Sequence, residues 1–283
     1  MMLKKAFSWI NPCAYPECKA RRLSSRMVFS GAFIGKDRFC SPECLQAGLA
    51  RNLGELLDRP KATQVKRRHR IPLGLELVSR GEVDSETLRK AVQEQKLHPE
   101  KRLGQILIAV GAVTEEQVTN AVAAQWAVPV FKLDSSRVPA AAELVPFRLM
   151  QQFKMMPVYF AEAQNRLHVA FAQTVDHKIL YSIEQMLGVS TAACLADESA
   201  LERLIAMAGQ NDRQAEYFLK SSSEAELVSM VTGYSARLGA EKISTAMCDG
   251  CLWVRASARD KAATHFLFPV APLRGDTLAE PGS

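Results

Sequence analysis

The chain of 283 residues has no long apolar run: the longest, ILIAVGAV, is too short to cross a bilayer, which excludes an inserted helix. The opening MMLKKAFSWINP has positive charge but no apolar stretch after it, so it does not read as an export signal, and the expected place is the cytoplasm. No GxxxxGK[ST] phosphate loop, nucleophile elbow or HExxH string occurs, so nothing points to an enzyme. Aromatic residues are scarce at 7%, and none lies in the most basic segment, RPKATQVKRRHR, which excludes a base-stacking platform there and leaves nucleic acid a minor partner.

What is present is distributed unevenly. Residues 1 to 70 carry 15 Lys/Arg against 5 Asp/Glu, so the remaining 213 carry 21 against 25. The basic character belongs to the N-terminal segment; residues 59 to 70 read as a solvated linker or as a surface for an acidic partner. The seven cysteines divide similarly: Cys13, Cys18, Cys40 and Cys44, then Cys194 alone, then the late pair Cys248 and Cys251. An odd number argues against a disulfide framework.

In CSPEC, Ser41 is a helix N-cap and Pro42 a first-turn residue, which puts Cys40 and Cys44 on one side of a helix start. Two short strands around a glycine turn are expected in MVFSGAFIGKDRF. Four thiolates close a tetrahedral shell on structural zinc; reduced cysteines without metal, or a redox site, are the other readings. FCSPEC resembles the signature of treble-clef zinc fingers of the TRASH or MYM type, although four residues separate Cys13 from Cys18 where such knuckles have two.

The strongest internal signal is a duplication. LGLELVSRGEVDSETLRKAVQEQ from Leu73 and LGQILIAVGAVTEEQVTNAVAAQ from Leu103 are identical at nine of 23 positions. Each copy reads as a short helix, a stop at Gly81 or Gly111, and a second helix capped by Asp84 or Thr114, the latter forming a capping box with Gln117. Leu88, Ala91 and Val92, and again Val118, Ala121 and Val122, have the spacing of a buried face, and Gln95 or Gln125 follows on that stripe. Two readings stand for these glutamines: they are partly wet at helix ends, or their amides bond a ligand or a facing backbone. Gly74 and Gly104 would let a ligand approach a helix start, and Arg102 could supply a guanidinium.

RLGxxLxxxGxVxxxxVxxAVxxQ at 102 to 125, with the copy before it, resembles the tandem motif in the N-terminal domain of type II secretion and type IV pilus assembly ATPases. The likeness runs on through AVPVFKLD and MMPVYFAEAQNRLHVAFA to about residue 208. It implies cyclic di-GMP as ligand, met by Leu73, Gly74, Gly81 and Gln95 of one copy and Arg102, Leu103, Gly104, Gly111 and Gln125 of the other. Pro72 stands where the family has arginine; Arg70 is a possible substitute with different geometry. Secretion or pilus components are the implied protein partners. Without the motor's phosphate loop, a non-catalytic regulator or adaptor is expected, with a ligand-free interaction scaffold as the alternative.

The expected fold class is α+β: a treble-clef-like zinc finger (1–52), a basic linker (53–70), a helical tandem-repeat subdomain (71–135), an α/β sandwich subdomain (136–210), a small C-terminal αβββ module (211–270) and a disordered tail (271–283). In 136–210 the expected elements are strands 156–160 and 167–171, helix 176–187, strand 189–195 and helix 198–207. Later a helix 224–238 and a hairpin at Asp249-Gly250 are expected, with Cys248 and Cys251 merely flanking the turn. His168, His177 and Cys194 have no partner at a recognisable spacing and carry no catalytic expectation.

Overall fold

The computed structural model describes residues 13–18, 31–58, 70–134, 136–210, 215–259 and 261–270. Most of the basic segment and the whole tail expected at 271–283 lie outside the described residues. The fold is mixed α+β and divides into two compact units. The first combines the N-terminal part, to residue 61, with the part from residue 212 and the stretch Gln185–Gly188; the second is residues 62–184 with 189–211.

The first unit is built on a six-stranded sheet in the order β2-β1-β7-β8-β9-β6. Its strands are β1 (Ala32–Ile34), β2 (Asp37–Phe39), β6 (Glu216–Phe218), β7 (Lys242–Cys248), β8 (Cys251–Ser257) and β9 (Thr264–Pro269). Gly35 makes the β1–β2 turn at φ 61°, and Asp249 and Gly250, both at positive φ, make the two-residue turn that folds β8 onto β7. β1 then pairs in parallel with β7, through Phe33 and Lys242, and β6 in parallel with β9. The finger and the C-terminal strands, divided in the sequence reading at 52 and 211, therefore share one sheet.

Two helices supply the core of that unit, α1 (Pro42–Leu57) and α9 (Glu224–Leu238). Ser41 and Ser223 cap their starts through side-chain oxygens, and Gly239 at φ 64° ends α9. On α1, Leu45, Leu49, Leu53 and Leu56 make one buried stripe against Val231, Ile243, Val254 and Phe266. Because Leu53 and Leu56 continue that stripe, α1 runs past residue 52 to Leu57, where the sequence reading began a linker.

The second unit starts with four helices, α2 (Leu73–Ser79), α3 (Ser85–Leu97), α4 (Leu103–Ala109) and α5 (Glu115–Trp126). Leu77, Val83, Ala91 and their counterparts Leu107, Val113 and Ala121 form its core. The expected caps are present: Asp84 accepts from the Glu86 and Thr87 amides, and Thr114 and Gln117 complete the capping box. Val92, expected on the buried face, is 37% exposed, because it lies at the margin of the apolar stripe.

After α5 come α6 (Phe147–Phe153), β3 (Met155–Ala161), β4 (Arg166–Phe171), α7 (His177–Leu187), β5 (Ser190–Leu195) and α8 (Glu198–Gln210). The strands form a three-stranded sheet in the order β3-β4-β5, antiparallel then parallel. Ala127, left-handed at φ 53°, turns the chain out of α5 so that Pro129 and Phe131 pair with Leu195 of β5. Reciprocal caps fasten α5 to α8. Glu115 accepts from the Ser199 amide at 2.7 Å and its hydroxyl at 2.6 Å, while the Thr119 hydroxyl donates to Asp197 at 2.8 Å.

Gly48 shows how tightly α1 lies on β2. A Cβ there would run into the Phe39 ring, which is itself 2% exposed. Gly48→Ala is expected to cost about 1–3 kcal/mol through overpacking, despite alanine's better helix propensity. Thermal denaturation checks this, and an unchanged or raised Tm would refute the close contact.

Candidate functional site

The two repeats meet across an approximate two-fold relation that exchanges equivalent groups. Gly74 on α2 faces the Leu103 side chain of the other copy, and Gly104 on α4 faces Leu73. Each glycine is also pressed by its own second helix: a Cβ at Gly74 would come 2.5 Å from Leu88, and one at Gly104 2.9 Å from Val118. Both glycines are buried, so their small size serves helix-on-helix approach.

The glutamines make the same exchange. Gln95 at the end of the first copy donates to the Lys101 carbonyl ahead of the second, at 3.3 Å; Gln125 donates to the equivalent Ile71 carbonyl ahead of the first, at 2.6 Å. Both side chains are half-buried. Of the two readings of these residues, the amides do bond facing backbone, and each ties one copy's C-terminal helix to the other's entry.

Gly81 and Gly111 stand apart from this junction. Each sits at the end of the first helix of its copy, at φ 71° and 72°. The amides of Gly81 and Glu82 bond the carbonyls of Val78 and Leu77, and those of Gly111 and Ala112 bond Ile108 and Leu107. These are matched Schellman turns, and the left-handed position explains both glycines without a ligand.

The cations are where the copies differ. Arg102, exposed, donates its backbone N–H to Gln105 and has its guanidinium 3.8 Å from Glu198 of α8. Glu198 is also held by Lys154 at 3.2 Å and Gln173 at 2.5 Å. In the first copy Pro72 takes the equivalent place and opens α2. Arg70 does not reach round it: its guanidinium lies over the Trp126 ring, 3.2 Å from the centroid. The sequence reading missed Trp126 and Glu198, although Trp126 directly follows the motif glutamine.

The cysteine cluster is a separate place in the first unit. Cys18 N–H bonds the Tyr15 carbonyl to make a tight turn, and Ala14 N–H ties that loop to Arg38 of β2. Cys40 precedes α1 and Cys44 lies in its first turn, with the Cys44 amide on the Ser41 hydroxyl. The four Sγ atoms of Cys13, Cys18, Cys40 and Cys44 lie within 4.8 Å of one another, Cys18 to Cys40 at 3.4 Å and Cys40 to Cys44 at 3.8 Å. A tetrahedral thiolate shell has edges of roughly 3.8 Å, so the set fits a metal ion with no open position. Burial, with the neighbouring sulfurs, pushes the Cys40 thiol well up, and burial raises Cys44 too. Sulfurs so close become thiolates together only around a cation.

Other sequence candidates are explained by packing. Cys194 is buried in β5, which pushes its thiol up to about 12 and leaves it inert. Cys248 and Cys251 face each other across the β7–β8 turn. None of the seven cysteines is in a disulfide.

The middle of the chain thus carries a duplicated helical unit joined to a small α/β layer. The family described as the MshEN domain matches residues 126–215, so this part of the chain is similar to that domain. The match begins at Trp126, directly after the second copy, so it covers the α/β layer and not the repeats. Among solved structures, MshE with cdg is 26% identical and covers 49% of this chain and 99% of its own, at a TM-score of 0.40. Two crystal forms of the XpsE N-terminal domain are 20% and 19% identical, covering 47% and 52% of this chain and 91% and 98% of their own, at TM-scores of 0.35 and 0.29. No curated protein matches the chain.

If the glutamines fasten the repeats, each should carry stability without any ligand. Gln125→Ala removes the donor to Ile71 and is expected to cost about 0.5–1.5 kcal/mol; Gln95→Ala, whose bond is longer, should cost less. Chemical denaturation of both variants checks the order, and equal or absent effects would count against the exchange.

Proposed function

We propose that the protein is a non-catalytic regulator or adaptor whose middle unit binds cyclic di-GMP across the two repeats. The observation that carries this reading is the reciprocal junction: Leu73 with Gly104, Leu103 with Gly74, Gln95 with Lys101 and Gln125 with Ile71. A two-fold dinucleotide fits a surface whose two halves present the same groups. The MshEN match over the adjoining 126–215 supports it further. In this proposal Arg102, Gly104 and Gln125 meet one guanylate half and Gly74 and Gln95 the other, with Leu73 and Leu103 between them, while Gly81 and Gly111 shape the turns. The ligand would draw Arg102 away from Glu198. Secretion or pilus assembly proteins are the partners that would read the bound state.

A second reading has its own observation. Pro72 removes the guanidinium expected in the first copy, and Arg70 is engaged on Trp126. That favours an interaction scaffold which kept the junction and lost the ligand. Titration calorimetry of the full chain with cyclic di-GMP separates the two. A micromolar or tighter Kd that weakens by about tenfold or more in Arg102→Ala supports the receptor; no heat at millimolar ligand leaves the scaffold.

For the first unit the proposal is one structural zinc on Cys13, Cys18, Cys40 and Cys44, completing a finger-like N-terminal segment. Support comes from the four converging sulfurs, which make a closed set with no place for a substrate. Metal analysis after dialysis is expected to return about one zinc per chain, and Cys40→Ser should lower both zinc content and Tm. A zinc content near zero in folded protein would refute the site.

A further inference from the structure

A second feature of the repeats lies off the junction. Between α3 and α4 runs a groove of about 770 Å³ whose floor is Ala91, Ile106, Ala109 and Val110, with Lys90 and Lys101 on its rim. Apart from Lys101, whose backbone carbonyl accepts from Gln95, none of these residues takes part in the junction proposed for the dinucleotide. Val110 is 65% exposed, at the open side of the groove.

The duplication supplies an internal control for whether the fold requires this surface. Ile106, Ala109, Val110 and Ala112 of the second copy correspond to Glu76, Ser79, Arg80 and Glu82 of the first. The backbone is the same at both places: Arg80 and Val110 end their helices at φ −85°, and each precedes a left-handed glycine. In the first copy Arg80 and Glu76 form a 2.8 Å ion pair over that surface. Ile106 and Ala112 belong to or pack against the core of the repeats, so the surface contrast lies at Ala109 and Val110, where the first copy has Ser79 and Arg80 on the same backbone and the turn tolerates either. The exchange runs the other way nearer the helix start, at Ile71 and Lys101 and at Leu75 and Gln105.

We infer that this groove is a docking surface for an amphipathic helix of a partner protein, with an apolar stripe along one face and an acidic residue beside it. The shape follows from the lining. Ile106, Ala109 and Val110 lie at i, i+3 and i+4 on α4, and Thr87, Ala91 and Glu94 along α3, so the groove follows two helices and its alanines admit a third at close range. A small polar ligand is disfavoured because the Thr87 hydroxyl and the Gln105 side-chain oxygen are already engaged. The Thr87 hydroxyl donates to Asp84 at 2.7 Å, and the Gln105 carbonyl accepts from Arg102 N–H. The charge of the partner follows from the rim. Lys90 pairs with Glu86 and Glu94 faces His98 on the same helix, whereas Lys101 makes no ion pair among the described residues. A carboxylate on the incoming helix would complete it.

The test places a photo-crosslinking phenylalanine analogue at Ala109 of the full chain in cells, with Ser79, the same position in the first copy, as control. The expected result is a product at 109 and not at 79, whose sequenced peptide has apolar residues at helical spacing flanked by Asp or Glu. Val110→Arg with Ala112→Glu, which installs first-copy residues, should reduce that product about tenfold while Tm stays unchanged. Lys101→Glu should reduce it too, through charge alone, should the double variant be less stable. Equal labelling at both positions, a product with a second copy of this chain or a non-helical peptide, or no product at all would overturn the inference. Calorimetry with cyclic di-GMP on Val110→Arg reads the dinucleotide site independently, so either reading can fail without the other.

Discussion

The second unit depends on one constraint: two helix starts must lie close enough for each copy's leucine to cover the other copy's glycine. Gly74 and Gly104 are squeezed from two sides, by Leu88 and Leu103 in one case and by Val118 and Leu73 in the other. A Cβ at either glycine would first have to displace the Leu88 or Val118 side chain of its own copy's second helix. Once the helix starts are fixed, the entry carbonyls of Ile71 and Lys101 fall within reach of Gln125 and Gln95. Beyond Gln125, α5 ends at the left-handed Ala127, from which Pro129 and Phe131 pair with Leu195 of β5.

How much of this was legible in the sequence depended on how local the cause was. Helix 224–238 was placed to the residue because a serine cap and a terminal glycine bound it, and the caps at Asp84 and Thr114 were read correctly for the same reason. The four cysteines were recognisable as a set because Cys40 and Cys44 lie on one side of a helix start and Cys13 and Cys18 form a second, nearby pair. The parallel pairing of β1 with β7 was not legible: Phe33 and Lys242 are remote in sequence, and three-residue strands carry too little alternation to announce a partner. The linker boundary at 52 fell inside α1, since the first residues of a linker look the same as a helix end until Leu53 and Leu56 are seen to find a core. For the glutamines, both the apolar stripe and the polar exception were visible. Their acceptors were not, because a backbone carbonyl has no signature of its own.

The duplication also shows what each copy needs and what it does not. Positions identical in both, such as Leu77 and Leu107 or Val83 and Val113, are buried, and the two Schellman glycines have matched φ values. These are requirements of the hairpin. Positions that differ in chemistry, Pro72 against Arg102 or Arg80 against Val110, sit on exposed surface where the fold leaves the choice open. The differences therefore mark where the copies are free to act unequally, while the shared residues answer to packing first.

That distinction bears on the strength of any ligand site at the junction. Its polar groups already have intramolecular partners: Gln125 and Gln95 hold carbonyls, Arg102 faces Glu198, and Arg70 is stacked on Trp126. A dinucleotide would gain only the difference between its own contacts and those it displaces. The Arg102–Glu198 pair is long and exposed and offers little resistance. Glu198 would lose little on release, since Lys154 and Gln173 remain to hold it. The Gln125 bond to Ile71 is short, so displacing it would cost more and would loosen the entry to α2. Exchange is therefore least costly at Arg102 and α8, and that route connects the second copy to the small sheet through Glu115, Ser199 and Asp197. A ligand arriving there would act on the α/β layer before it disturbed the first copy, so the inequality of the two halves gives the unit a direction.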